Sequence, residues 1–413
     1  MRIAMVSEHA SPLAALGEED TGGQNVHVAD LARALGARGH HVVVHTRRTA
    51  PDQPDTIAFA PGADVHHVTA GPPHPLRKDD LPPHMDAFAA RLAQHWRRTP
   101  PDIIHAHYWM SARAALQAAR GTGTPVIATF HALGVEKRRH QGRADTSPPE
   151  RETAEADIAH RADAVIATSS AEERELRSWN LARDRIRVVP CGVDPDLFHP
   201  QGPTAQRGKR PRILALGRLV PRKGVRTLIG ALAGVPGAEL VVAGGAPPAR
   251  IRQDPRIAAL RACAREAGVA ERVVFTGGLD RSDVPALLRS ADIAVSAAWY
   301  EPFGMSTVEA MACGVPVIAS NVGGHLDTVV SGVTGCLVPP RDARTLAYWI
   351  RVLLSDPVTR DSLGIAAADR VRARYTWPLV ARQSEQCYTG VLAGRGRAVA
   401  DPAAAPAAAP GGA

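Results

Sequence analysis

The sequence predicts an α/β protein of two doubly wound, Rossmann-like domains with a cleft between them. Short apolar segments alternate with longer segments of helical periodicity through the first half of the chain. A stretch rich in proline, glycine and charge then interrupts the alternation, which starts again behind it. A length of 413 residues is enough for two such domains. Because alternating strands and helices are typical of parallel sheets covered by helices, the pattern indicates two sheets of this kind.

The first domain is predicted to span residues 1–195 and to begin with a strand. The N-terminal segment MRIAMVSEHA is too short and too strand-like for a signal peptide. Short apolar segments, each followed by a turn or polar loop, predict strands at Arg2–Ser7, His41–His45, Ile103–His107, Val126–Phe130, Ala164–Thr168 and Arg187–Val189. Helical spacing of apolar residues predicts helices at Asn25–Ala37, His84–Arg97, Ala112–Ala119, Glu150–His160 and Ala171–Asn180.

A linker at residues 196–211 and a second domain at 212–374 are predicted to follow. Its predicted strands are Ile213–Leu216, Glu239–Ala243, Arg272–Phe275, Ile293–Ser296, Val317–Ala319 and Cys336–Val338. Its predicted helices are Val225–Ala233, Pro255–Ala267, Ser282–Arg289, Thr307–Cys313 and Ala343–Ser355. The segment Thr359–Leu392 is helical and amphipathic, and we expect a separate C-terminal helix at 375–393. The Ala/Pro/Gly-rich tail at 394–413 is predicted to be disordered.

Composition limits the classes of function. The net charge of +8 suits a cleft for anionic substrates, an anionic membrane surface or nucleic acid, or simply an arginine-rich composition. The basic clusters have no interleaved aromatic residues for base stacking, so nucleic-acid binding is disfavoured. No apolar run reaches the ~18 residues that a membrane span requires. Five scattered cysteines without a CxxC motif indicate reduced thiols and a cytoplasmic protein, and the 17 histidines form no spaced metal motif.

The stretch from Trp299 to Ser320, WYEPFGMSTVEAMACGVPVIAS, is the most informative part of the chain. A strand-like run precedes it, a polar turn opens it, and a helical segment ends at Gly314 before another strand. Ligands bind at such loops in open parallel sheets. The backbone N–H groups of residues 304–306 would lie at a helix N-terminus, which is a site for a phosphate.

Two carboxylates, Glu301 and Glu309, frame this loop eight residues apart. A carboxylate on each side of a phosphate site fits a ligand with hydroxyls on both sides of a diphosphate, as in a nucleotide sugar. The alternative is an ordinary βαβ unit whose two glutamates are solvated.

The residues EPFG and EAMACGVPVIAS resemble the signature of the retaining, group-1 glycosyltransferases of GT-B fold. The resemblance covers roughly residues 1–390. It implies that Glu301 meets the transferred sugar as a catalytic residue and that Glu309 meets the ribose. Phe303 and the amides of Gly304, Met305 and Ser306 would then belong to the donor site. It also implies that the last helix packs back on the first domain.

Two further loops match the same family. The first, Asp20-Thr21-Gly22-Gly23-Gln24-Asn25, has paired glycines at a predicted helix start, where a phosphate could sit. With the following HVADLARALGARGHHV it is similar to loops of sucrose-phosphate synthase-like and D-inositol-3-phosphate glycosyltransferase-like members. That similarity implies donor contact for Gly23 and acceptor contact for Asp20 and Asn25.

The second loop is GRLVPRKG, residues 217–224. Arg218 and Lys223 could converge on a diphosphate, since two fixed cations offset its charge without a metal. The alternative is a solvated basic loop, but the whole motif matches the family's donor-phosphate motif. We expect Arg222 to be solvated.

The family resemblance implies further contacts in the first domain. A histidine near the sugar hydroxyls is expected in TFHA, which assigns a catalytic role to His131. The inositol-phosphate enzymes use Lys, Tyr, Thr and Arg for the acceptor phosphate, and Lys78, Tyr108 and Arg151 match. The threonine does not, because its place is taken by Ala132. The stretch LGVEKRRHQGRADTSPPE is more similar to sucrose-phosphate synthases.

These features predict a metal-independent retaining glycosyltransferase of the hexosyltransferase type, without a cofactor. It would move a hexose or N-acetylhexosamine unit from a UDP- or GDP-sugar to a small, phosphorylated acceptor. A lipid or polysaccharide acceptor is the main alternative and leaves peripheral membrane contact open. A nucleotide-sugar epimerase and a non-catalytic sensor are others. A phosphorylase would need a pyridoxal phosphate lysine, and Lys223 is the only lysine after Lys209.

Overall fold

A computed structural model of the protein describes residues 1–14 and 22–400, with side chains through Gly394. The strands are β1 (Arg2–Val6), β2 (His41–Arg47), β3 (Thr56–Ala60), β4 (Ala63–Val68), β5 (Ile103–His107), β6 (Val126–Thr129), β7 (Ala164–Ala167), β8 (Ile186–Val188), β9 (Arg212–Leu216), β10 (Glu239–Ala243), β11 (Val273–Gly277), β12 (Ile293–Ser296), β13 (Val317–Ser320) and β14 (Gly335–Val338).

Helices alternate with these strands along most of the chain. The helices are α1 (Gly23–Gly36), α2 (Met85–Arg98), α3 (Trp109–Ala118), α4 (Gly134–Gln141), α5 (Arg151–Arg161), α6 (Ser170–Ser178), α7 (Val225–Ala233), α8 (Pro255–Glu266), α9 (Val284–Arg289), α10 (Met305–Ala312), α11 (His325–Thr328), α12 (Ala343–Ser355), α13 (Pro357–Arg374) and α14 (Trp377–Ala400). No helix within the described residues is long and apolar enough to cross a membrane.

The strands form two separate sheets. The first has the order β3-β4-β2-β1-β5-β6-β7-β8 and is parallel except for β3, which runs antiparallel to β4. The second is parallel throughout, in the order β11-β10-β9-β12-β13-β14. Each sheet is covered by helices, and the strand order reverses beside β1 and β9. Ligands of doubly wound sheets bind at such reversals. The predicted α/β class with two parallel-sheet domains is confirmed.

The chain crosses between the two halves twice, and the two crossings are joined. Val193 lies in the first crossing, and its N–H donates to the carbonyl of Tyr375 in the second crossing at 2.7 Å. The N–H of Trp377 donates back to the carbonyl of Val193 at 3.3 Å. The indole of Trp377 lies so close to Gly192 that a Cβ there would be 2.6 Å from its ring. The linker and the start of the last helix therefore form one bonded unit.

The last helix, α14, packs on α1 of the first half. Arg38, just after α1, donates from Nε to Glu385 at 2.8 Å. Deeper in, the Tyr388 hydroxyl lies 2.7 Å from His105 Nδ1, and both side chains are buried. The helix ends at Ala400, beyond the residue where disorder was predicted to begin. Arginine, alanine and valine continue the helix, and Pro402 follows in the sequence; residues 401–413 lie outside the described residues.

Candidate active site

The centre of the candidate site lies at the carboxyl end of β12, where the chain turns into α10. Gly304 precedes this helix with φ of 99°, a left-handed conformation that favours glycine. A Cβ at this position would lie 2.8 Å from the His325 ring. The first amide groups of α10, which include those of Met305 and Ser306, have no acceptor within the helix. Together with the helix dipole, they form a site for an anion.

Glu301 and Lys223 form a buried ion pair beside this anion site. They follow β12 and β9, which are neighbours in the second sheet. Burial raises the pKa of Glu301, but attraction from Lys223 and nearby cations outweighs it and lowers that pKa to about 2. The carboxylate is therefore ionised at neutral pH, and the two opposite charges are fixed beside the start of α10.

The basic loop after β9 is held firmly against the loop after β12. The Arg222 guanidinium donates to the carbonyl of Tyr300 at 3.2 Å, and the N–H of Trp299 donates to the carbonyl of Arg222 at 2.7 Å. The expectation that Arg222 is solvated is wrong, because its side chain connects these two loops. Arg218 reaches in the other direction: its Nε lies 3.8 Å from where a Cβ of Gly22 would be.

Glu309 lies in the second turn of α10 and is linked to both halves of the chain. Its carboxylate accepts a hydrogen bond from Arg281 Nη1 at 2.9 Å. The other terminal nitrogen of Arg281 lies 3.5 Å from Asp30 in α1. Burial raises the pKa of Glu309, and the Arg281 charge opposes this. Glu309, the predicted ribose contact, is therefore held in place by Arg281.

The first glycine loop lies directly opposite the donor loops. A Cβ on Gly23 would lie 3.1 Å from Met305 Sδ, so the two halves touch here. Asn25 is buried, accepting from the Gly22 N–H at 3.0 Å and donating to the Ser11 carbonyl at 3.0 Å. Its amide thus shapes the loop through backbone bonds. Asp20, the other predicted acceptor contact in this loop, lies outside the described residues.

His131 follows β6 and faces the same cleft with a strained backbone. Its φ is 62°, a sparsely populated conformation for a residue with a side chain. Its Nε2 lies 3.0 Å from Nδ1 of His107. Burial holds the pKa of both histidines well below the usual range, so both imidazoles are neutral at pH 7. A neutral imidazole can donate to or accept from a sugar hydroxyl.

Tyr108 and Arg151 form a second centre in the first half of the chain. Tyr108 precedes α3 with φ of 84°, and the Arg151 guanidinium lies 5.0 Å from the centre of its ring. Arg151 is 2% exposed; its Nε donates to Glu155 at 2.7 Å and its Nη1 to Ser147 at 3.2 Å. It also donates to the carbonyl of Ala132, next to His131. Arg151 therefore connects the second centre to His131.

Two lysines complete this second centre. Lys78 Nζ lies 3.0 Å from Asp79, and Lys137 Nζ lies 2.7 Å from Asp145. Burial lowers the pKa of Lys137, and the charges of Lys78 and Arg151 lower it further. The three cations come from the turn at Lys78–Asp80, from α4 and from the start of α5, and the charges of Lys78 and Arg151 act on Lys137.

The sequence matches two glycosyltransferase family models and a set of curated relatives. "Glycosyltransferase Family 4" matches residues 21–197 and "Glycosyl transferases group 1" matches residues 201–370. A D-inositol 3-phosphate glycosyltransferase of Acidothermus cellulolyticus is 36% identical, over 91% of this chain and 87% of the relative. The chain belongs to the group 1 glycosyltransferases. A D-inositol 3-phosphate glycosyltransferase of Mycobacterium marinum is 35% identical, over 98% of this chain and 90% of the relative.

Solved structures place the fold of this group 1 glycosyltransferase among GT-B enzymes. The sucrose-phosphate synthase of Thermosynechococcus elongatus superposes with a TM-score of 0.87 at 35% identity, covering 95% of this chain and 99% of that one. The Anabaena protein HepE, solved with UDP and glucose, gives a TM-score of 0.72 at 21% identity, covering 94% and 99%. The second likeness shows the fold alone.

The glycosyltransferase cleft brings most of the predicted site residues together. Arg218, Lys223, Glu301 and residues 304–306 line its second-domain side, with Gly22 and Gly23 opposite. Phe303 differs, because its side chain is buried against Tyr375 with ring centres 5.9 Å apart. It can meet a donor only through its backbone.

Sequence reasoning missed two features of this glycosyltransferase site. Arg281 comes from an unremarkable polar loop, and its pairing with Glu309 depends on the sheet order, which no local pattern reveals. His27 and His107 pack around His131, with ring centres 4.8 Å and 5.2 Å from it. The HAH spacing in β5 could have indicated that His107 lies on the same strand face as His105.

The buried histidines should make the glycosyltransferase less stable in mild acid. Burial lowers the pKa of His27 to about 4 and that of His105 to about 3, against 6.5 in the unfolded chain. From pH 6.5 down to 4 the unfolded chain binds more protons, so stability is complete above pH 6.5 and falls below it. In this range each of these two histidines lowers the free energy of unfolding by about 1.4 kcal/mol for every pH unit of acidification. Glu172, whose pKa burial raises to about 7, offsets about one of them.

The measurement is the free energy of denaturant unfolding between pH 7.5 and 5. We expect a decline below pH 6.5 in the wild type and a shallower decline in His27→Phe. Equal slopes for the two proteins would contradict this account.

Proposed function

We propose that this enzyme transfers a hexose or N-acetylhexosamine unit, with retention, from a UDP- or GDP-sugar to a hydroxyl of a small phosphorylated polyol or sugar. The observation that carries the proposal is the convergence of Lys78, Lys137 and Arg151 beside Tyr108. Arg151 also contacts the residue next to His131, so a phosphate bound there would leave the rest of the acceptor pointing toward the sugar.

The charges around the three cations fit a site for a phosphate dianion. Each cation has a carboxylate neighbour, at Asp79, Asp145 and Glu155, which holds it in place. Arginine can bind a phosphate with two parallel hydrogen bonds, and lysines add point charges. The names of the curated relatives include inositol 3-phosphate, and that of a solved structure at 35% identity includes sucrose-phosphate. Both support a phosphorylated small molecule in this reaction.

The donor side supports cleavage of a sugar–diphosphate bond. The amides of residues 304–306 and the side chains of Arg218 and Lys223 would hold the diphosphate and stabilise the charge that it gains on leaving. Glu301 would orient the sugar, and neutral His131 would contact its hydroxyls.

The proposed mechanism is attack on the same face as the departing diphosphate. The bond from the anomeric carbon to the phosphate oxygen breaks, the acceptor oxygen bonds to that carbon, and the acceptor proton passes to the leaving oxygen. Cations of the chain neutralise the diphosphate, so no metal is needed, and turnover should persist in EDTA. An inverted product, detected by proton NMR of the anomeric signal, would overturn the proposal of retention.

The decisive experiment combines thermal shift with turnover. We would screen UDP-, GDP- and ADP-sugars with and without inositol 1-phosphate, inositol 3-phosphate and fructose 6-phosphate. We expect one nucleotide sugar to raise the melting temperature and turnover to require a phosphorylated acceptor. Donor binding without turnover on any phosphorylated acceptor would contradict the acceptor proposal and favour a lipid or polysaccharide. Release of free sugar without any acceptor product would favour an epimerase, and stabilisation by no nucleotide sugar would overturn the donor site.

We also propose that the enzyme acts in the cytoplasm. All five cysteines are free thiols, which suits a reducing compartment. Fractionation of the producing cell tests this, and co-sedimentation with anionic liposomes tests peripheral membrane contact. Enzyme found mainly with the liposome pellet would contradict a freely diffusing enzyme.

A further inference from the structure

Three histidine rings meet at the cleft wall of the first domain. His27 comes from α1, His107 from the end of β5 and His131 from the loop after β6. One ring nitrogen of each lies within 4.8 Å of the others. His27 is 2% exposed and His107 is fully buried, while His131 is half-buried. The cluster therefore has a closed rear and one open side.

The ring nitrogens of this histidine trio are incompletely hydrogen-bonded. His107 Nδ1 and His131 Nε2 lie 3.0 Å apart, so a single proton joins them. His27 Nδ1 and His107 Nε2 are buried and lack a hydrogen-bond partner among the described residues. A buried polar atom left without a partner costs about 1–3 kcal/mol. His27 Nδ1 is the atom of this kind that can turn to the trio, since His107 meets His131 through Nδ1, and imidazole nitrogens are ligands for transition metals.

We propose that His27, His107 and His131 bind one divalent transition-metal ion, of which Zn²⁺ is the best match, and that the bound ion inhibits sugar transfer. Zn²⁺ takes imidazole nitrogens at about 2.0–2.1 Å, so ligand atoms of a tetrahedral site lie about 3.4 Å apart. The His107 and His131 nitrogens, 3.0 Å apart, are already close to this spacing, and His27 must approach by at most about 1.4 Å. The fourth position faces the cleft, where water or a substrate oxygen can occupy it.

The protons balance without an outside base. The metal replaces the single proton between His107 and His131, and that proton moves to the other nitrogen of the same ring. Burial keeps all three histidines neutral at pH 7, so no charged imidazolium has to lose a proton first. Metal binding by itself does not depend on the proposed function. Inhibition does, because it follows from the proposed contact of His131 with the sugar.

A second trio, His45, His66 and His95, offers an internal comparison. Trp96 donates from its indole N–H to Nε2 of His45 at 3.2 Å. The proton of neutral His45 must therefore be on Nδ1, which lies 3.0 Å from Nδ1 of His66. A metal ion bound to His45 Nδ1 would move this proton to Nε2. There it would point at the indole N–H of Trp96, and the two N–H groups would clash. This trio therefore lacks a third ligand.

Binding is tested with the metal-free full-length enzyme, Co²⁺ as a spectroscopic probe and Zn²⁺ calorimetry. The wild type should bind one ion per chain, with visible absorption bands of a four- or five-coordinate Co²⁺ site. His27→Phe keeps a ring against Trp377 and should weaken binding at least ~100-fold, whereas His95→Gln should bind as the wild type does. If His27→Phe bound the metal as tightly as the wild type does, or if His95→Gln bound it more weakly, the proposed site would be overturned. His27→Gln replaces His27→Phe if the latter does not fold.

Inhibition is measured separately by turnover with and without Zn²⁺. The wild type should lose most of its turnover at saturating Zn²⁺ and regain it with EDTA, while His27→Phe should be insensitive. Tight binding at the trio with unchanged turnover would overturn the inhibitory role. A wild type that binds Co²⁺ at the trio yet turns over no nucleotide sugar in EDTA would support the metal site and refute the proposed function instead.

Discussion

The Lys223→Met variant should lose about a thousandfold in kcat/KM, because removal of one preorganised charge at a leaving group costs about 2.7–4 kcal/mol. Lys223 is the cation paired with Glu301 beside the proposed diphosphate site. Its loss also removes the attraction that keeps the pKa of Glu301 at about 2, so burial alone would then raise that pKa. We expect a lower melting temperature as well as slow turnover.

Two variants separate these effects on rate and stability. Lys209→Met makes the same substitution at an exposed lysine of the linker and should leave kcat/KM unchanged. In Lys223→Met/Glu301→Gln the buried charge is removed together with its partner, so stability should recover while activity does not. A loss in kcat/KM smaller than tenfold in Lys223→Met would refute a role for this lysine at the leaving group.

The Arg151→Gln variant should raise KM for a phosphorylated acceptor about 100-fold, since hydrogen bonds to charged groups contribute about 1.5–3 kcal/mol. Donor affinity should change little, because the donor loops belong to the second half of the chain, whereas Arg151 begins α5 of the first half. The measurement is KM for acceptor and for donor, together with slow hydrolysis of the donor in the absence of acceptor. Hydrolysis should persist.

The controls for Arg151 address charge and folding. Arg138→Gln removes a nearby, half-exposed arginine paired with Glu152 and should leave the acceptor KM unchanged. Arg151→Lys keeps a cation beside buried Glu155 and should therefore fold well. It should still bind the phosphate more weakly, because lysine cannot form the two parallel hydrogen bonds of arginine. Equal weakening of phosphorylated and unphosphorylated acceptors would show that Arg151 does not bind the phosphate.

Local pattern predicted the donor side of the fold well, and the reasons are visible in the chain. The strand predicted at Ile293–Ser296 is β12, and the helix predicted at Thr307–Cys313 begins two residues earlier because Gly304 adopts a left-handed conformation. Both elements are apolar and buried. The spacing of their apolar residues is therefore the spacing that packing in the core requires. The same holds for β9 and β6, the strands that precede Lys223 and His131.

Elements that rely on other forces were not predicted. β4 carries Asp64 and two histidines, so its strand period is broken, and β3 beside it is exposed. α4 is almost entirely charged and has no apolar face, and the Glu136–Arg139 ion pair is one of the local contacts that it has instead. The helical segment from Thr359 to Leu392, in which a separate C-terminal helix was expected at 375–393, divides between α13 and α14, where the chain bonds to Val193.

In the candidate site, too, some features could be predicted from local sequence and others depend on tertiary packing. Glu301 and Lys223 were identified as separate contacts, but their ion pair follows from β9 and β12 being neighbours, which is a property of the sheet order. Asn25 was assigned to the acceptor, whereas the structure uses its amide on the backbone of its own loop. Residue types and spacing thus indicated which positions matter, and tertiary packing decided which groups each side chain meets.

The joined crossings at Val193 and Tyr375 limit how the cleft can open. A single flexible connection would leave the second domain free to rotate about three axes relative to the first. Two crossings bonded side by side strongly resist twisting and sideways swing, and they leave one easy rotation, about a line through the pair. Each closure then follows nearly the same path and returns Arg218 opposite Gly22 and Met305 opposite Gly23. Alignment of the two substrates is therefore built into the path of the motion and does not have to be searched for at every turnover.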